Sequence, residues 1–117
     1  MNPDFIDVAQ AKSKLENDQC IVLDVRERSE FTSEHIAESH HAPLTRFDEE
    51  ASKLQKNKTY LILCQSGNRA CKAANTLHEM GFDHFQVIEG GLAAWKAQGH
   101  DTVKGTSQTW SLERQVR

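Results

Sequence analysis

Two short runs of apolar, β-prone residues, Cys20 to Leu23 (CIVL) and Tyr60 to Leu63 (YLIL), constrain the fold of this chain more than any other feature. Neither shows the apolar–polar alternation of a strand with one wet face, so each reads as a strand covered on both sides. Such strands belong to parallel sheets, whose crossover connections lay helices against the faces. A third run, Phe85 to Ile88, follows a helix-like segment from Ala70 to Met80 that ends at Gly81, a residue suited to a left-handed cap. Strand, helix, strand in that order is a βαβ unit.

The remaining segments extend the alternation. Asp7 followed three residues later by Gln10 resembles a capping pair, and it opens a helix through about Leu15 with Val8, Ala11 and Leu15 on one face. Short helices are expected from Ser29 to Ser33, Phe47 to Leu54 and Leu92 to Gln98. The pattern calls for an α/β fold with helices on both faces of the sheet. After Gly99 the chain turns polar, so residues 1–100 are expected to form one domain and 101–117 a linker and tail.

Composition narrows the class of protein. A chain of 117 residues with 38% hydrophobic and 26% charged residues is about one globular domain. Its net charge of −3 and scattered basic residues offer no stripe for nucleic acid. Three cysteines, Cys20, Cys64 and Cys71, cannot pair completely and form no Cys-x-x-Cys unit, which suits reduced thiols in a reducing, cytoplasmic compartment. The start, MNPDFIDV, has neither the basic residues nor the apolar run of a secretory signal. No window approaches the ~18 apolar residues of a spanning helix.

The stretch LILCQSGNRA carries chemistry. There a buried strand ends at Cys64 and a helix begins near Arg69, so turn N–H groups and the unsatisfied first N–H groups of the helix can converge on the sulfur. An ordinary cysteine is only about 3% thiolate at pH 7, and making a thiol mostly thiolate takes ~2.7 kcal/mol. A helix terminus supplies at most ~2 kcal/mol. Direct loop N–H bonds, and the Arg69 guanidinium, are therefore expected to add the remainder. Gly67 would let successive N–H groups fold into a concave nest. The plainer reading, a packed structural thiol, suits Cys20, and it suits Cys71 better than a resolving role does.

Three motifs in order resemble the rhodanese-like domains. CQSGNRA resembles their active-site loop, IVLDVRERSEF at 21–31 their Asp-x-Arg segment with its following glutamate and aromatic, and GGLAAW at 90–95 their terminal Gly-Gly and Trp signature. The resemblance spans about residues 4–100. It implies a five-stranded parallel sheet with helices on both faces, and sulfur transfer through a cysteine persulfide with no metal and no organic cofactor. Carried over by position, Cys64 is the nucleophile and sulfur carrier, Gln65, Ser66, Gly67, Asn68 and Arg69 form its cradle, and Asp24 and Arg26 support the loop from a nearby strand end. A solvated turn or a surface ion pair is the plainer alternative for Asp24 and Arg26. The chain departs from the family at 33–44, SEHIAESHHAPL, which keeps His35 and Ile36 without the usual flanking glycines, and at Ala70, where many relatives carry a hydroxyl residue.

The expected partners are a small-molecule sulfur donor such as thiosulfate, or a protein persulfide, and a thiol or cyanide acceptor. A catalytically silent interaction module and a cysteine-dependent phosphatase are the alternatives. Phosphatases place five residues between cysteine and arginine, whereas this chain has four. His35, His40 and His41 invite a metal, but adjacent residues of an extended segment face opposite sides, so no metal site is expected. WSLERQVR at 110–117 resembles the stretch before a membrane hairpin in some relatives, so membrane attachment is expected only if such a hairpin follows.

Overall fold

The computed structural model describes residues 4–17, 20–66 and 68–104. Five strands form one all-parallel sheet: β1 (Phe5–Ile6), β2 (Cys20–Asp24), β4 (His40–His41), β5 (Thr59–Leu63) and β6 (Phe85–Ile88), in the order β1-β6-β5-β2-β4. The apolar runs Cys20 to Leu23 and Tyr60 to Leu63 lie in its adjacent inner strands β2 and β5, matched residue for residue from Cys20 opposite Thr59 to Asp24 opposite Leu63.

Burial of both faces shows in how alternate residues divide. Tyr60, Ile62 and Cys64 join one apolar cluster, whereas Leu61 and Leu63 join the other. The first cluster is roofed by α3 (Phe47–Ala51) and α4 (Asn68–Glu79), through Phe47, Ala51 and the stripe Ala70, Ala73, Ala74 and Leu77. These positions recur at helical spacing, and their small side chains let α4 lie close on the sheet. The second cluster is covered by α1 (Val8–Asn17) and α5 (Gly91–Ala97), through Val8, Ala11, Leu92 and Trp95. Asp7 caps α1 by accepting the Gln10 N–H at 2.8 Å. Gly81, at φ +92°, ends α4 as expected.

Two regions differ from the sequence reading. The segment after α2 (Arg28–Ser33) supplies both β3 (Glu34–His35) and the edge strand β4, and its turn places Glu38 at φ 65°, a conformation glycine would adopt without strain. Residues 101–104, expected within the tail, are attached to the domain. β7 (Val103–Lys104) pairs antiparallel with β3, the Trp95 indole N–H donates to the Asp101 carbonyl at 3.0 Å, and the Thr102 hydroxyl donates to Glu34. WSLERQVR lies outside the described residues. No helix among the described residues is long and apolar enough to cross a membrane.

Candidate active site

Cys64 follows β5 directly, at the edge where the parallel strands end, and α4 begins four residues later at Asn68. Its side chain is 1% exposed and packs in the cluster that contains Ala70, Ala73 and Ala74. Gln65, Ser66 and Asn68 are exposed above it, Arg69 is partly so, and Gly67 lies outside the described residues. The expected strand–turn–helix junction is therefore present, with the thiol at its floor.

The loop is clamped from below by α5. The Leu92 N–H donates to the Cys64 carbonyl at 2.8 Å and the Ala93 N–H to the Gln65 carbonyl at 3.2 Å. First-turn N–H groups of α5, which have no partner within their own helix, thus satisfy the strand-end carbonyls. The approach requires Gly91. A Cβ there would lie 2.3 Å from the Cys64 oxygen and 2.7 Å from Gln65 backbone atoms, and Gly91 sits at φ +60°. This is the physical reason for the second glycine of GGLAAW.

Asp24 and Arg26 form neither a solvated turn nor a surface pair. They are 0% and 2% exposed, and the Arg26 Nε and Nη2 donate to the Asp24 carboxylate at 2.9–3.2 Å, joined by the Arg26 backbone N–H at 3.0 Å. Arg26 Nη2 also donates to the Glu34 carbonyl at 2.5 Å. The pair stands beside the loop, because the Val25 N–H donates to the carbonyl of Leu63, the residue before Cys64. A buried pair of this kind is a poor source of net stability, but losing one partner strands a buried charge at a cost of about 3–5 kcal/mol.

Arg69 is placed by a residue outside the expected site. Its Nη1 and Nη2 donate to the two oxygens of Glu30 on α2 at 2.6 and 2.9 Å. That hydrogen-bonded pairing raises the Arg69 pKa. Glu30 also accepts the Glu27 N–H at 3.1 Å, and the Arg69 bond above all holds its pKa down, from 4.5 to about 2. The available signals were the Glu27-to-Glu30 spacing of a capping pair, which marks a helix start, and the glutamate before Phe31 in the Asp-x-Arg segment; neither points to Arg69.

The histidines are used separately. His35 and His41 stack on Phe31 at 4.1 and 4.3 Å, and each donates a ring N–H to a carbonyl at 2.8 Å, His35 to Phe31 and His41 to Arg26. His40 faces Glu50 at 3.9 Å. Among the described residues no three metal-ligating side chains converge. None of the three cysteines is in a disulfide, and Cys71 lies off the buried stripe of α4. A cavity of about 450 Å3 opens at the far end of β2, lined by Lys12, Glu16, Cys20, Ile36 and Trp95. It contains none of the residues 64–69, and its Lys12 and Glu16 pair with each other at 3.8 Å. This hollow is thus separate from the cysteine loop.

Two outcomes are expected. Gly91→Ala should cost at least the ~1–2 kcal/mol of a left-handed alanine in denaturant unfolding, and should slow alkylation or sulfur loading of Cys64 by displacing the loop. An unaffected loop would show that α5 does not hold it. Glu30 has a depressed folded-state pKa, so its contribution to stability is complete above 4.5 and is lost as the pH falls toward about 2. The stability difference between wild type and Glu30→Gln should shrink across that window; a pH-independent difference would mean that the Glu30 charge contributes nothing.

The sequence matches the rhodanese-like domain family over residues 7–98. It is 35% identical over 94 residues to the putative sulfurtransferase YtwF of Bacillus subtilis, covering 80% of this chain and 90% of that protein. Identity to the thiosulfate sulfurtransferase GlpE of Coxiella burnetii is 32% over 77 residues, 66% of this chain and 72% of that one. With the uncharacterized protein slr1261 of Synechocystis it is 38% identical over 102 residues, 87% of this chain but only 57% of that relative's length. The crystal structure of a rhodanese-related protein from Thermoplasma volcanium superposes with a TM-score of 0.79 at 30% identity, covering 86% of this chain and 97% of that one. Motif order, parallel sheet, clamped cysteine loop and family match agree, and the chain belongs to the rhodanese-like domain family.

Proposed function

We propose that this domain is a sulfurtransferase that carries sulfane sulfur as a persulfide on Cys64. The observation that carries the reading is the placement of Cys64: a thiol at a strand end, followed by exposed Gln65 and Ser66 and by a helix that starts at Asn68, with its own carbonyl fixed by α5. The loop N–H groups of 65–69 would then be available to the sulfur, because α5 already serves the carbonyls.

In the first half-reaction the Cys64 thiolate attacks the outer sulfur of the donor. With thiosulfate, the donor S–S bond breaks, its electron pair leaves with sulfite, and a new S–S bond joins the transferred sulfur to Cys64. In the second, a thiolate or cyanide attacks that outer sulfur and returns the Cys64 thiolate. The donor is thiosulfate or a small-molecule or protein persulfide, and the acceptor is a thiol or cyanide. The cycle requires no metal or organic cofactor. Three free cysteines that cannot pair completely suit a reducing compartment, which is the basis for proposing a cytoplasmic setting.

The reading is favoured over a phosphatase by the loop itself. Four residues separate Cys64 from Arg69, and both terminal nitrogens of Arg69 engage Glu30, leaving less of the guanidinium for a phosphoryl group and its oxygens. It is favoured over a silent interaction module by the retained cysteine. The names of YtwF and GlpE point the same way.

Turnover of thiosulfate with cyanide, followed as thiocyanate, tests the proposal. Cys64→Ser should abolish it, whereas Cys20→Ser and Cys71→Ser should retain it. Full activity without Cys64, or steady Cys64-dependent hydrolysis of an aryl phosphate, would overturn the reading.

A further inference from the structure

The Glu30–Arg69 pair joins α2 to the start of α4 across 39 positions of sequence, at the mouth of the cysteine loop. Both carboxylate oxygens and both terminal guanidinium nitrogens are used, and the Glu27 N–H holds the carboxylate from behind. A second guanidinium at this edge, Arg26, is held by Asp24 in the same way. Arg69 and Arg26 are therefore each charge-compensated.

That compensation bears unequally on different donors. A thiolate meeting thiosulfate gathers three negative charges, which emerge as a persulfide anion and a sulfite dianion. A thiolate meeting an alkyl hydropersulfide gathers one: the S–S bond of the hydropersulfide breaks, its electron pair leaves on the alkyl thiolate, and the S–H sulfur joins the cysteine. Coulomb energy scales with the product of charges, so a fixed carboxylate at the mouth opposes the first encounter more than the second. Arg69 keeps three N–H donors beyond the two given to Glu30, so it can still orient a donor while bringing little net charge.

We propose that Glu30 is a specificity-determining residue which, by holding Arg69 in a neutral pair, turns the loop away from dianionic donors and toward sulfane donors that carry at most one negative charge in all. The inference rests on Cys64 being a sulfur carrier. Glu30 acts through Arg69 and through its own charge; it takes no part in bond making.

Glu30→Gln is the informative variant, because glutamine also serves at this capping position of α2 while removing the charge. The measurement is kcat/KM for thiosulfate and for the hydropersulfide of 2-mercaptoethanol, with one common acceptor and with unfolding midpoints recorded alongside. The ratio of thiosulfate to hydropersulfide efficiency should rise roughly three- to tenfold in Glu30→Gln, mainly through a lower KM for thiosulfate. In Glu30→Asp, which keeps the charge, the ratio should stay within about twofold of wild type. A pair that merely staples α2 to α4 would lower both efficiencies in proportion, and an unchanged or reduced ratio in Glu30→Gln overturns the assignment. Wild-type protein that takes sulfur from neither donor would instead overturn the sulfurtransferase reading on which the assignment rests.

Discussion

A sheet whose strands all run the same way delivers every strand end to one edge, and here that arrangement creates both the site and its main structural problem. Asp24 lies opposite Leu63, so the chain leaves β2 and β5 side by side, and each exit exposes backbone groups that cannot be left unsatisfied where they are buried. The chain answers by cross-linking the exits. The Val25 N–H serves Leu63, the Ala42 N–H serves Asp24, the Leu44 N–H serves Val25, and the Leu92 N–H serves Cys64. The cysteine backbone is thus fixed by β2 and α5 before any side chain contributes. Gln65 and Ser66, which follow it, are exposed to solvent.

The charges at this edge follow the same logic. A buried arginine needs a partner with matching geometry, and Asp24 supplies one to Arg26 by both side chain contacts and a backbone bond. Arg26 then reaches the Glu34 carbonyl at the start of β3. Glu34 receives Lys96 from α5 at 2.7 Å and Thr102 from the segment beyond it, and the Lys96 bond leads in lowering the Glu34 pKa. One chain of polar contacts therefore runs from the end of β2 to the helix that clamps the cysteine loop. Residues 101–104 belong to this network and not to a detached tail.

Legibility in the sequence tracked how local each determinant is. The strands at 20–24 and 59–63 were visible because strands covered on both faces are nearly continuous apolar runs, and the strand at 85–88 because it follows a helical pattern that ends at Gly81. The two-residue strands Phe5–Ile6, His40–His41, Glu34–His35 and Val103–Lys104 were not, since two residues cannot display a period of two. At the site, Cys64 and its loop were readable as a strand ending where a helix begins. Whether Asp24 and Arg26 were buried depended on what packs over them, so spacing alone left that open. Glu30 escaped because its partner lies 39 residues away, and its local pattern already had a sufficient explanation as a helix start.

The central claim is that sulfur rests on Cys64 between the two halves of the reaction. Intact-protein and peptide mass spectrometry after incubation with thiosulfate tests it most directly. One added sulfur atom is expected, on the peptide containing Cys64, that cyanide removes with thiocyanate as product and that Cys64→Ser protein never acquires. Sulfur located on Cys20 or Cys71, or turnover with no protein-bound sulfur at any time, would contradict it.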